Sequence, residues 1–282
     1  MGRAPARTRA RDAEIPRAAR NALSGFALGA AGANVVMQLS RLPVGHGVAR
    51  STVESGRIDR HPLKRARTTL TYLAVAYLGT EDERAHLREE VNRSHRPVRS
   101  RPGDPVRYNA FDRDLQLWVA ACLYKGTEDV YRMLYPGASA ADLDALYRHG
   151  ARLGTTLQMA AGQWPADREA FAAYWDASLD RVSTDALTRD YLTSFARLGF
   201  LPGPVAAPLG RTHQFFVTGF LPQRFRDEFG FGWGPRRQAA FTAFGRSAAV
   251  VHRLLPPVLA GFPFTYHLWD FRRRMRTGRP IV

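Results

Sequence analysis

The stretch Gly79-Thr80-Glu81-Asp82-Glu83 constrains the fold more than any other part of the chain. A threonine followed three residues later by a glutamate is a capping box, in which each side chain satisfies a backbone N–H near the other. Three acids in the first turn sit where the helix dipole favours negative charge. The spacing therefore predicts a helix from Thr80 to Pro97. It follows directly on another that begins near Pro62, where proline suits the first turn, and stops at Gly79. Two helices joined this tightly fold back on each other.

The same punctuation recurs. Helices are expected over 26–41, stopping before Pro43, and from an Asp112 cap to Leu134, ahead of Pro136-Gly137. Ser139 opens another, with Asp142 in the capping-box position. Later candidates are 166–179, 184–197, 212–221, 235–255 and 266–275. A Gly-rich loop around His46 and a proline-rich hinge or pocket-lining loop over 198–209 are expected between them. Strand-like alternation bounded by hairpin turns is hard to find. The chain reads as all-α, with one domain over 26–276, a basic arm over 1–25 and a tail over 277–282.

The net charge of +16 is carried mainly by dispersed arginines. That raises the prospect of a polyanionic partner, but no zinc-finger or RNP-like pattern accompanies it, so no nucleic-acid partner is expected. One cysteine, Cys122, permits neither an internal disulfide nor a cysteine-based zinc site. The N-terminus lacks the uninterrupted apolar core of an export signal, and no transmembrane segment is evident. A cytoplasmic location is the expectation.

Phosphate loops, HExxH, nucleophile elbows and dinucleotide fingerprints are all missing. Attention falls on the hairpin at Gly79. Arg65 and Thr69 share a face of its first helix, continued by Tyr72, Leu73 and Ala76, while Leu87, Val91 and His95 share a stripe of the second. At ~1.5 Å per residue, Arg65 and His95 both lie roughly 20–22 Å from the turn and Thr69 about 15 Å. Packed helices are only ~8–10 Å apart, so the pair must splay or line a cleft with other elements. A flat cofactor would suit such a gap, with a neutral imidazole on its metal and Arg65, Arg67, Arg96 and Arg99 near enough to meet its acidic groups. The spacing is equally compatible with a core histidine, a solvated arginine and a back-bonding threonine.

The runs HPLKRARTTLTYLAVAYLGTEDE, EEVNRSHRPVRS, YNAFDRDLQLWVAACLY and TGFLPQRFRDEFGFGW occur in this order. Together they resemble the family of latex-clearing (rubber-cleaving) proteins and MpaB-type oxygenases, over about residues 30–275. The resemblance implies a helical fold with a globin-like core and a non-covalent heme b whose iron is bound by His95. It places Arg65 and Thr69 in the heme pocket as catalytic residues and Arg99 as a basic residue one turn past the ligand. Dioxygen and an apolar terpenoid, isoprenoid or polyketide-like substrate would be the partners, the reaction being oxidation or oxidative C=C cleavage.

The chain departs from the rubber-cleaving pattern at three points. Thr68 stands where those members have lysine, neither Glu54 nor Asp59 aligns with their catalytic glutamate, and Ser100 stands where many have glycine. A non-catalytic heme or apolar-ligand carrier is the alternative reading.

Overall fold

Helix α1 (Arg17–Ala22) leads into α2 (Leu28–Leu39), α3 (Leu42–Ala49), α4 (Pro62–Leu78), α5 (Glu81–His95) and α6 (Arg113–Leu134). Then come α7 (Ala140–Gly150), α8 (Arg152–Thr155), α9 (Arg168–Leu179), α10 (Ala186–Ala196) and α11 (Gly203–Phe220). The chain closes with α12 (Gln223–Phe229), α13 (Pro235–Leu254), α14 (Pro257–Ala260) and α15 (Phe264–Thr277). This computed structural model describes residues 14–51, 53 and 60–281. Among them there is no strand, only an isolated bridge between Arg99 and Asn109. The all-α, single-domain expectation holds.

The axis of the fold is α6. Residues all around it are buried, from Gln116 to Leu134, so it runs through the interior rather than along a surface. Trp118, fully buried, stacks on Trp175 with ring centroids 5.5 Å apart, donates from Nε1 to the Gln38 carbonyl at 3.1 Å and carries the Arg41 guanidinium over its face at 4.6 Å. Helix α2 crosses α6 so closely that a Cβ on Gly126 would stand 1.9 Å from Asn34 Nδ2. Tyr124, Tyr147, Trp164 and Phe171 continue the aromatic interior toward α7 and α9.

Three expectations are corrected. The loop around His46 is helix α3: Pro43 opens it at the first turn instead of ending its predecessor. Gly45 earns its place there, because a Cβ would lie 2.6 Å from Thr188 of α10. The proline-rich segment is largely helical as well. Pro204 starts α11, and Pro208 lies in an exposed turn, where water can satisfy the carbonyl that its missing N–H leaves open. Finally, the domain reaches beyond 26–276. Ala18, Ala19 and Ala22 of α1 are buried in the core, and Ile281 is buried with its carbonyl accepting from Arg67 at 3.4 Å. The rest of the expected arm, residues 1–13, lies outside the described residues.

Candidate functional site

The capping box at Thr80 forms as the sequence demands. Glu83 N–H donates to Thr80 Oγ1 at 3.2 Å, and Thr80 N–H donates to Glu83 Oε2 at 2.9 Å. Glu83 also receives a fork from Arg272 of α15, with Nε at 2.6 Å and a terminal nitrogen at 3.1 Å. Helix α15, packed along α4, thereby locks the turn of the hairpin.

Beyond the turn both helices are tied to α8 and the residue that follows it. On α4, the Tyr72 hydroxyl donates to the Leu153 carbonyl. From α5, Arg84 donates to the hydroxyls of Thr156 and Thr155, both at 2.8 Å, and Arg88 donates to the Thr156 and Thr155 carbonyls at 3.2 and 2.6 Å. A four-residue helix and its C-cap Thr156 thus bridge the two arms of the hairpin at the level of Tyr72, Arg84 and Arg88. Further from Gly79 than these bonds lie Thr69 and Arg65 on α4 and Asn92 and His95 on α5.

These groups share an unusual environment. Burial, aided by the positive charge of Arg65, holds the His95 imidazole at about 4, so it is neutral at physiological pH. Its Nδ1 is buried without a hydrogen-bond partner, and Phe111 meets the ring edge-on at 6.4 Å. Arg65 is pushed below its ordinary value by burial; Tyr191 of α10 opposes that shift, and no described carboxylate acts on it. Asn92, one turn before His95, has Oδ1 buried and unpartnered. Thr69 donates its hydroxyl proton to the Arg65 carbonyl at 3.0 Å, leaving only lone pairs to offer its surroundings.

Arg65 and His95 are therefore brought within electrostatic reach of each other, as the heights on the hairpin predict, and Thr69 lies one turn along from Arg65. Arg67 points elsewhere, toward Ile281. Arg99 is exposed and lines a surface cleft of about 370 Å³ with Arg50, Arg101 and Asp104, which none of His95, Arg65 and Thr69 lines. Its backbone belongs to a short zipper: Ala110 N–H donates to the Val98 carbonyl at 2.9 Å and Ser100 N–H to the Tyr108 carbonyl at 2.8 Å. That zipper returns Phe111 to the His95 ring. Glu54 and Asp59 lie outside the described residues.

The motifs EEVNRSHRPVRS and YNAFDRDLQLWVAACLY are thus zipped side by side, and the Arg-x-x-x-Thr helix faces the histidine. A family model described as ER-bound oxygenase mpaB/B'/Rubber oxygenase, catalytic domain, matches residues 19–252. The chain belongs to this oxygenase family. Oxygenase chemistry on a small molecule with dioxygen comes with that membership. The oxygenase is also 47% identical over 250 residues to uncharacterized proteins of Mycobacterium bovis and Mycobacterium tuberculosis, covering 89% of this chain and 98% of each relative. No solved structure matches it.

Sequence reading missed Phe111, Asn92 and Tyr191 of this oxygenase. Asn92 was within reach, because it stands three residues before His95 on a helix. Tyr191 was not, since only the packing of α10 brings it to Arg65, 126 positions away in the sequence.

Proposed function

We propose that the chain is a heme-b-dependent oxygenase, with His95 as the ligand to iron, acting on an apolar, unsaturated terpenoid, isoprenoid or polyketide-like substrate. The observation that carries this reading is the state of His95. A neutral, half-buried imidazole whose Nδ1 is buried and unpartnered offers a lone pair to a metal and is not tied up by the protein. Among the described residues, no three His, Cys, Asp or Glu side chains stand together as a metal cluster. Iron held by His95 would take its other ligands from a porphyrin, and the residues present fit that arrangement. The globin-like character of the core belongs to this proposal.

Heme b, when bound, would supply the redox-active iron for dioxygen chemistry. The protein's own part follows from its side chains. Arg65 keeps its positive charge in a largely desolvated setting without a described carboxylate, so it stabilises negative charge as it develops beside it. Thr69, its proton committed to the helix backbone, can only accept a hydrogen bond. Leu87 and Val91 keep the approach along α5 dry. Of the residues assigned to the pocket, Arg99 is placed to meet an acidic group of a ligand only from the surface cleft.

The purified protein is expected to show a Soret band that shifts on reduction and on addition of carbon monoxide. His95→Ala should lose the band, and full heme retention by that variant would overturn the ligand assignment. Sustained oxygen uptake with an alkene separates turnover from the carrier reading, which expects none.

A further inference from the structure

The end of α13, α14 and the start of α15 display an apolar surface that the oxygenase reading does not use. Leu254 is 79% exposed, Val258 76% and Trp269 51%, and Val250, Val251, Leu259, Phe262 and Tyr266 are exposed with them. Val250, Val251 and Leu254 occupy one face of α13, opposite the buried His252. On α15 an aromatic ladder runs along the outer side. Phe262 and Tyr266 have centroids 6.4 Å apart, Tyr266 and Trp269 5.8 Å, and the Arg273 guanidinium caps Trp269 at 5.7 Å. Both ends converge on residues 24–26. Ser24 bonds to His252, Phe26 packs edge-on against it, and the Phe262 carbonyl closes on Gly25. The elements that carry the exposed groups are therefore anchored on the same short segment.

Its charge is one-sided. Residues 246–281 contain seven arginines and a single acid, Asp270. That acid is buried and bonded to Arg274 at 2.6 Å, while Arg253 and Arg273 flank the apolar residues. A second copy of the chain is a poor occupant, because a two-fold interface sets the same patch against itself and would bring arginine to arginine without a compensating acid. Aliphatic side chains bordered by Trp and Tyr, with arginines that can keep their heads in water, match the apolar edge and anionic headgroups of a lipid surface. No described helix is long and apolar enough to cross a membrane, so such contact would lie on the bilayer.

We propose that the α13–α14–α15 face docks on an anionic lipid surface. The full-length protein should sediment with phosphatidylcholine vesicles containing one-third phosphatidylglycerol, far less with phosphatidylcholine alone, and less in high salt. Leu254→Asp with Val258→Asp should weaken binding by about tenfold or more. Arg253→Glu and Arg273→Glu should each weaken it by about fivefold or more. Should the aspartate pair impair folding, brominated lipid provides a separate readout: it should quench tryptophan emission in the native chain but not in Trp269→Phe. Failure to bind anionic vesicles, native-like binding by the variants, or a concentration-dependent dimer that the aspartates abolish would overturn the proposal.

Discussion

Arg84 is the best place to test whether α8 anchors the hairpin. Its side chain is buried, and Nε and a terminal nitrogen each donate at 2.8 Å, to Thr156 and Thr155. Hydrogen bonds from a charged donor contribute about 1.5–3 kcal/mol each, while the pair with the exposed Glu81 adds under about 1 kcal/mol. Removing the cation also relieves the desolvation that lowers its pKa, which offsets part of the loss. Arg84→Met, which keeps the packing of the stem, should therefore cost about 2–4 kcal/mol, or about 5–10 °C in melting temperature for a chain of this size. Calorimetry gives the number, and a double-mutant cycle with Thr156→Val should return a coupling of about 1–2 kcal/mol. His95 sits about 16 Å further along the same helix, so the lost anchor should also weaken heme uptake in titrations. A melting shift under about 2 °C with no coupling would refute the bridge.

His95 and His149 are both held at about 4, below the ~6.5 of an unfolded chain. The unfolded state therefore takes up protons first, and the stability of the cofactor-free chain should fall by about 2–5 kcal/mol in all as pH drops from about 6.5 to 4. Urea titrations across that window check it, a flat profile being the contrary result. Gly126→Ala would drive a methyl into Asn34 and should destabilise by about 1–3 kcal/mol in chemical denaturation, despite alanine's better helix propensity. Glu83→Ala removes a cap and a forked Arg272 contact together, so its melting temperature should fall further than that of Arg272→Met.

What was legible in the sequence is what local chemistry decides. The box at Thr80, the caps at Asp112 and Ser139 and the stripe that carries His95 all depend on residues three or four apart, and all stand where their spacing puts them. Proline misled for a physical reason. It can end one helix or begin the next, and Pro43 and Pro204 both begin one. The burial of α1 was hidden because short alanine-rich segments look the same in an arm and in a core, and only the partner surface decides between them.

The site was half legible for a related reason. Heights on a hairpin need only the rise per residue, so the meeting of Arg65 with His95 could be anticipated. The bridge to α8 could not, because α8 lies more than seventy residues beyond α4 and offers nothing with a signature: carbonyls and two threonine hydroxyls. Those bonds belong to the protein, so the attachment of both helices to α8 does not depend on a ligand. Nδ1 of His95 and Oδ1 of Asn92 are buried without partners one turn apart on α5, immediately past the last arginine that anchors that helix to α8. Unsatisfied buried groups of this kind destabilise a fold by about 1–3 kcal/mol each. Under the proposed oxygenase reading, these two are the groups that a bound cofactor would satisfy, and its uptake should raise the stability of the folded chain accordingly.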